Sequence, residues 1–170
     1  MATNDGEFER EFERILEQNE RFVEAFDRSA LTAAPLTGLA ILTCMDARID
    51  VEDALGLRVG DAHIIRNAGA LASEDAIRSL VVSQQVLGTR EIVVIAHTRC
   101  GLDGADEDAL RSRIADTTGF ETEMAFGSFA DLDDMVREQV EILRDEPVLL
   151  DVPVHALIYE VETGRLRKVV

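Results

Sequence analysis

Short, nearly unbroken apolar runs alternate along this chain with stretches in which apolar residues recur every three or four positions. LAILTC (39–44), AHIIRN (62–67) and EIVVIAH (91–97) have the length and composition of strands. Turn signals stand before the first two, Pro35 with Gly38 and then Val59-Gly60-Asp61. The 3.6-residue period predicts helices around them. Residues 7 to about 28 carry Phe8, Phe12, Ile15, Leu16, Phe22, Val23 and Phe26 on one face. A second helix opens near Ser73 with an acidic first turn and runs through Ile77, Leu80, Val81 and Val86 to a cap at Gly88. A shorter one is expected around 108–116, and another from about 131 to 144, with Leu132, Met135, Val136, Val140 and Leu143 on one side. VHALIYEVE, the turn Thr163-Gly164 and RLRKVV close the chain as a hairpin.

Continuous apolar strands alternating with helices predict an α/β fold: a central, mostly parallel β-sheet flanked by helices, with the C-terminal antiparallel hairpin as an edge. No repeat or low-complexity segment interrupts the pattern. The 170 residues read as one domain, 1–170, whose first 30 residues form a helical arm. Four of the seven phenylalanines lie on that arm, a load that suits packing on a partner subunit as readily as on its own domain.

Charge changes the picture next. The formal net charge is −17, from 34 acidic and 17 basic residues, and Lys168 is the lone lysine. Such a chain repels nucleic acid and anionic membranes. The acid is spread over folded faces rather than gathered in a tail, which reads as a halophile-type surface whose folding depends on KCl, the alternative being an unusually acidic mesophile protein. No run approaches the roughly 18 to 20 apolar residues of a membrane helix, and MATNDGEFEREFER lacks the features of a secretory signal. A cytoplasmic location is expected, and there two cysteines serve a metal or a buried apolar role more readily than a disulfide.

Those cysteines carry the candidate chemistry. Cys44 ends the first run, and His97 ends the third with Cys100 three positions on. In an open parallel sheet, sites collect beyond the carboxyl ends of strands, so neighbouring strands would bring all three donors to one crevice. Thiolate and imidazole together suit Zn²⁺, and three protein ligands leave a fourth position open. Asp46 and Arg48 follow the first ligand at a spacing that allows a bidentate carboxylate–guanidinium contact. Asp46 would then orient a hydroxide nucleophile or rotate onto the zinc and close the site. The plainer alternatives are small buried cysteines, a strand-end histidine and a loop-stabilising ion pair.

These residues resemble the β-class carbonic anhydrases, in their short prokaryotic and archaeal branch. The matching segments are Cys44-Met45-Asp46-Ala47-Arg48, the stretch from Gly60 through Arg66-Asn67-Ala68-Gly69, His97-Thr98-Arg99-Cys100-Gly101, and the closing strands from Val154 to Leu166. The resemblance implies zinc on Cys44, His97 and Cys100, an Asp46–Arg48 dyad, and reversible hydration of CO₂ to bicarbonate and a proton. It also implies a homodimer or higher oligomer with the N-terminal helix on the partner, substrate close to Gly101, and a cleft wall formed by the Arg66-Asn67-Ala68-Gly69 turn, with Asn67, Ala68 and Gly69 toward the substrate. Two positions depart from the family pattern: Ala47, and Arg99 where many relatives carry Asp. Arg99 would either concentrate bicarbonate or point to solvent, the second reading being favoured. His63 and His155 read as packed strand residues before proton relays. Two other activities fit the same ligands: hydrolysis of carbonyl sulfide or carbon disulfide, and a non-catalytic zinc-binding regulatory module.

Overall fold

The structure is a computed structural model that describes the backbone from Asp5 to Val170 and the side chains from Arg10 onward. It divides into two compact units, 1–32 and 33–170. The first holds helix α1, Asp5–Glu24, which ends four residues before the limit that its apolar pattern predicts. Phe22 and Phe26 nonetheless stay in contact past that end, their ring centroids 5.6 Å apart, with the Arg28 guanidinium 5.8 Å from the Phe22 ring. On this helix Phe12, Ile15, Leu16 and Val23 are all exposed. The contacts of Phe8 lie outside the described side chains.

The second unit is built on five strands: β1 Leu39–Cys44, β2 Ala62–Asn67, β3 Glu91–His97, β4 Val154–Tyr159 and β5 Leu166–Lys168. Their order is β2-β1-β3-β4-β5. All neighbours are parallel except β4 and β5, which form the antiparallel hairpin. Successive side chains point to opposite faces, so an apolar run supplies two cores at once. Ala40, Leu42, Ile92, Val94, Ala96, Val154, Ala156 and Ile158 meet Ala76 and Leu80 of α3 (Glu74–Gln85) and Met135, Val136, Val140 and Leu143 of α5 (Leu132–Asp145). Ile41 and Ile95 face the other way, onto Ile49, Val51, Cys44 and Cys100. That second face is covered within the unit by loops and the short helix α2, Val51–Leu55, and leaves Ile64, Leu157, Tyr159 and Leu166 half-buried. Each fully buried Ile or Leu contributes about 1.5–3 kcal/mol.

Helix ends follow their caps. Asp50, Ser73, Asp106 and Asp131 each accept a hydrogen bond from the amide three residues on, opening α2, α3, α4 (Glu107–Thr118) and α5. Consequently α4 is longer than its apolar pattern suggests. α3 stops at Gln85, and Gly88 serves the following turn at a φ of 83° instead of capping the helix. The bidentate contact of Arg167 with Asp133 (2.7 and 2.6 Å) ties the three-residue β5 to the start of α5.

Glu107 at the start of α4 pins the 119–129 segment. Its Oε1 accepts from the amides of Ser128 (2.9 Å) and Phe126 (3.2 Å), and its Oε2 from Arg111 Nη2 (2.7 Å). These amides, chiefly, hold its carboxyl down to about 2. A carboxyl depressed in the fold stabilises above its unfolded value near 4.5, and that contribution is lost as pH falls through the folded one. Glu107→Gln is therefore expected to lower the melting temperature at pH 7, with the gap to wild type closing between about pH 4.5 and 2. Thermal unfolding in steps of pH checks this, and a gap independent of pH would refute the assignment.

Candidate metal centre

Register builds the site. Thr43 pairs with Ile95 across β1 and β3, so Cys44 follows one residue on and His97 two residues on, both at the carboxyl ends of the central strands. Beyond β3 the chain turns through Thr98 and Arg99 and returns Cys100 to the same place. The two Sγ atoms and a ring nitrogen of His97 lie within 4.8 Å of one another, and all three residues are buried.

The tautomer of His97 follows from its neighbours. Its Nδ1 lies 2.9 Å from the Thr98 carbonyl, which can only accept, so Nδ1 carries the proton and Nε2 presents its lone pair. Among the described residues, Nε2 is one of two buried side-chain polar atoms with no hydrogen-bond partner. Leaving such an atom bare costs roughly 1–3 kcal/mol, so a cation beside it removes a penalty. Charge points the same way. Burial raises the Cys44 thiol, but the facing His97 imidazole and the amides of Gly69 and Asp46 outweigh it and bring it down to about 7. Cys100 moves up instead, through burial and then the proximity of Cys44. Burial also opposes charge on His97, yet Cys44 and Asp46 beside it raise the ring above its ordinary value. Two cysteine sulfurs, one of them with a lowered thiol, beside an imidazole nitrogen without a partner fit a thiophilic divalent ion such as Zn²⁺.

Asp46 sits at the edge of this group, Oδ2 3.8 Å from His97 Nε2. Arg48 grips it at three points: Nε and the backbone amide on Oδ1 (both 2.9 Å), and Nη2 on Oδ2 (2.7 Å). These bonds hold the Asp46 carboxyl far below the usual carboxylate range and raise the guanidinium. Arg48 Nη2 also donates to the Arg99 carbonyl (3.1 Å), which joins the two ligand-bearing loops. A cavity of about 670 Å³ opens here between Met45, Ala47, Ala68, Gly69, Gly101 and Leu102, together with both cysteines, Asp46 and Arg48.

Of the wall residues singled out in the sequence, Ala68, Gly69 and Gly101 line this cavity. Gly69 has a φ of 85°, and a Cβ there would stand 2.9 Å from Leu102. The Asn67 side chain braces the same turn, donating to the Leu71 carbonyl (2.7 Å) and accepting from its amide (2.9 Å). Arg99 is exposed and paired with Glu162. His63 is held between Ser83 Oγ (2.7 Å) and the Ala33 carbonyl (2.8 Å), and His155 lies 3.2 Å from Glu91.

One residue of the matching Gly60–Gly69 stretch has a part that the sequence does not spell out. Arg66, on β2, donates to the carbonyls of Cys44 (2.9 Å), Asp46 (2.7 Å) and Ile49 (3.2 Å), so a single guanidinium fixes the backbone of the whole Cys44–Arg48 turn. Its part depends on the β1–β2 register, which places Arg66 opposite Thr43.

Residues 39–166 match the sequence pattern of the carbonic anhydrase family. The chain is 38% identical over 143 residues to beta-carbonic anhydrase 1 of Mycobacterium tuberculosis, covering 84% of this chain and 88% of that protein. It is 39% identical over 157 residues to the carbon disulfide hydrolase of Saccharolobus solfataricus, with 76% of each covered. Among solved structures, the carbonic anhydrase from Streptococcus mutans superposes with a TM-score of 0.89 at 39% identity, over 94% of this chain and 97% of that one.

Proposed function

The chain belongs to the β-class carbonic anhydrase family, and from that premise we propose that it carries out zinc-dependent, reversible hydration of carbon dioxide to bicarbonate and a proton. Cys44, His97 and Cys100 hold the ion, and Asp46 with Arg48 orients the nucleophile. The observation that carries this reading is the bare Nε2 of His97, facing two sulfurs with an arginine-held carboxylate 3.8 Å away.

When bound, zinc supplies Lewis acidity that makes a nucleophile of water near neutral pH. Everything else falls to the chain. The Thr98 carbonyl accepts from the Nδ1 proton of His97 and so leaves Nε2 free to hold the ion beside the two sulfurs when it is bound. Asp46 stays ionised under the grip of Arg48, so it can only accept a hydrogen bond. It therefore favours an oxygen that bears a proton, and turns that oxygen's free electron pair toward the carbon. Apolar groups of Ala47, Ala68 and Leu102 accommodate an uncharged triatomic substrate without competing for it. Rotation of Asp46 from Arg48 onto the ion would shut the site.

The same proposal takes the chain as one functional domain with an N-terminal arm, assembled as a homodimer in a saline cytoplasm. The half-buried apolar side chains on the second face of the sheet and the uncovered face of α1 support a second copy. The net charge of −17 supports salt adaptation.

Stopped-flow CO₂ hydration by the zinc-loaded protein, across pH and KCl, tests the reading. Activity that is low in acid and rises above neutrality is expected. No activity at any pH or salt would leave a non-catalytic zinc-binding module. The likeness to carbon disulfide hydrolases favours a second reading, hydrolysis of carbon disulfide or carbonyl sulfide at the same centre. Sulfide release faster than CO₂ hydration would establish it.

A further inference from the structure

A single carboxylate ties the loop between the two β3-end donors to the C-terminal hairpin. Thr98 and Arg99 separate His97 from Cys100, and Arg99 holds a φ of 54°, a left-handed conformation that a residue with a side chain rarely adopts unless its surroundings impose it. Glu162, on the turn between β4 and β5, reaches both residues of this segment. Its Oε1 pairs with Arg99 Nε, and its Oε2 accepts from Thr98 Oγ1 at 3.2 Å. Thr98 Oγ1 accepts in turn from the Val161 amide at 3.1 Å, and the Thr98 amide donates to the Tyr159 carbonyl at 3.0 Å.

The two carbonyls of this clasped segment each accept a hydrogen bond from a side chain of the candidate site. That of Thr98 takes the His97 Nδ1 proton, and that of Arg99 takes a hydrogen bond from Arg48. An ion pair this exposed, 72% for Arg99 and 43% for Glu162, adds little to stability. Its consequence is geometric, because one carboxylate grips both residues between the ligands. We propose that Glu162 is a positioning residue: by clasping Thr98 and Arg99 it sets the orientation of the His97 ring and of the Asp46–Arg48 pair. This rests on the function proposed above for its effect on turnover, but its effect on the metal is read separately.

The test uses the full chain loaded with cobalt(II), whose thiolate charge-transfer and ligand-field bands report ligand geometry. Glu162→Ala is expected to bind one equivalent with an altered spectrum and to surrender it to a chelator about ten-fold faster than wild type. In CO₂ hydration its kcat is expected about ten-fold lower, with KM unchanged. Glu162→Gln, which keeps an acceptor for Thr98, should recover much of the cobalt retention, and it carries the test if the alanine variant does not fold. A wild-type spectrum and release rate in both variants would overturn the proposal, as would a raised KM at full kcat. If wild type hydrates no CO₂ while Glu162→Ala still loosens cobalt, the clasp stands and the proposed reaction falls.

Discussion

His97→Ala is expected to give a folded protein that holds no stoichiometric zinc and shows no CO₂ hydration above the buffer rate. The ring is 1% exposed and contributes one hydrogen bond, to Thr98, while its other nitrogen has none. Deleting it from the metal-free protein therefore removes a penalty along with a contact, and the two changes oppose each other. Deleting it from the metal-bound protein removes a ligand, and two thiolates alone do not complete a tetrahedral site. The signature is in the linkage. Zinc should raise the melting temperature of wild type by several degrees at concentrations well above its dissociation constant, and that of His97→Ala not at all. Metal analysis and paired melts with and without a chelator measure it. A variant that retains one zinc per chain would remove His97 from the ligand set.

The second large effect is on turnover without metal loss. Asp46→Ala should keep its zinc and its fold, and lose about two to three orders of magnitude in kcat. The alternative, that Asp46 and Arg48 are a pair stabilising the loop, predicts the reverse. The exposure of the partners decides between them: Arg48 is 48% exposed, so the contact is worth little in stability despite its bidentate geometry. The energy of that geometry goes into holding one carboxylate, 17% exposed, at one angle beside His97. Steady-state rates with metal content measured on the same sample settle it, and an unchanged rate would take Asp46 out of the mechanism.

The strands were legible because burial on both faces writes itself as uninterrupted apolar sequence, and β1, β2 and β3 occupy the very residues that LAILTC, AHIIRN and EIVVIAH mark. The donor set was legible for a related reason: Cys44 and His97 end two such runs, and parallel strands end on the same side. Features that depend on residues far away in sequence were not. Helix α2 is too short for a period to register, although its Asp50 and Gly56 caps stand in plain view. Arg66 gives no local hint that it will hold three carbonyls of another strand's loop. Glu107 looks like an ordinary first-turn acid until the 119–129 segment folds back over it. Arg99 was readable as a charge beside the site, and its partner was not, because Glu162 arrives from the last turn of the chain.

The strand order has a kinetic corollary. Cys44 and His97 belong to parallel neighbours, which no tight turn can join, so the pair closes only across the whole α2–β2–α3 crossover. Non-local contacts of this kind form late, after their loop entropy has been overcome. In refolding from denaturant, cobalt absorbance should accordingly appear with or after amide protection in β1 and β3, and added metal should slow unfolding far more than it speeds folding. The ion would act as a lock set on a finished sheet, with no part in nucleating it.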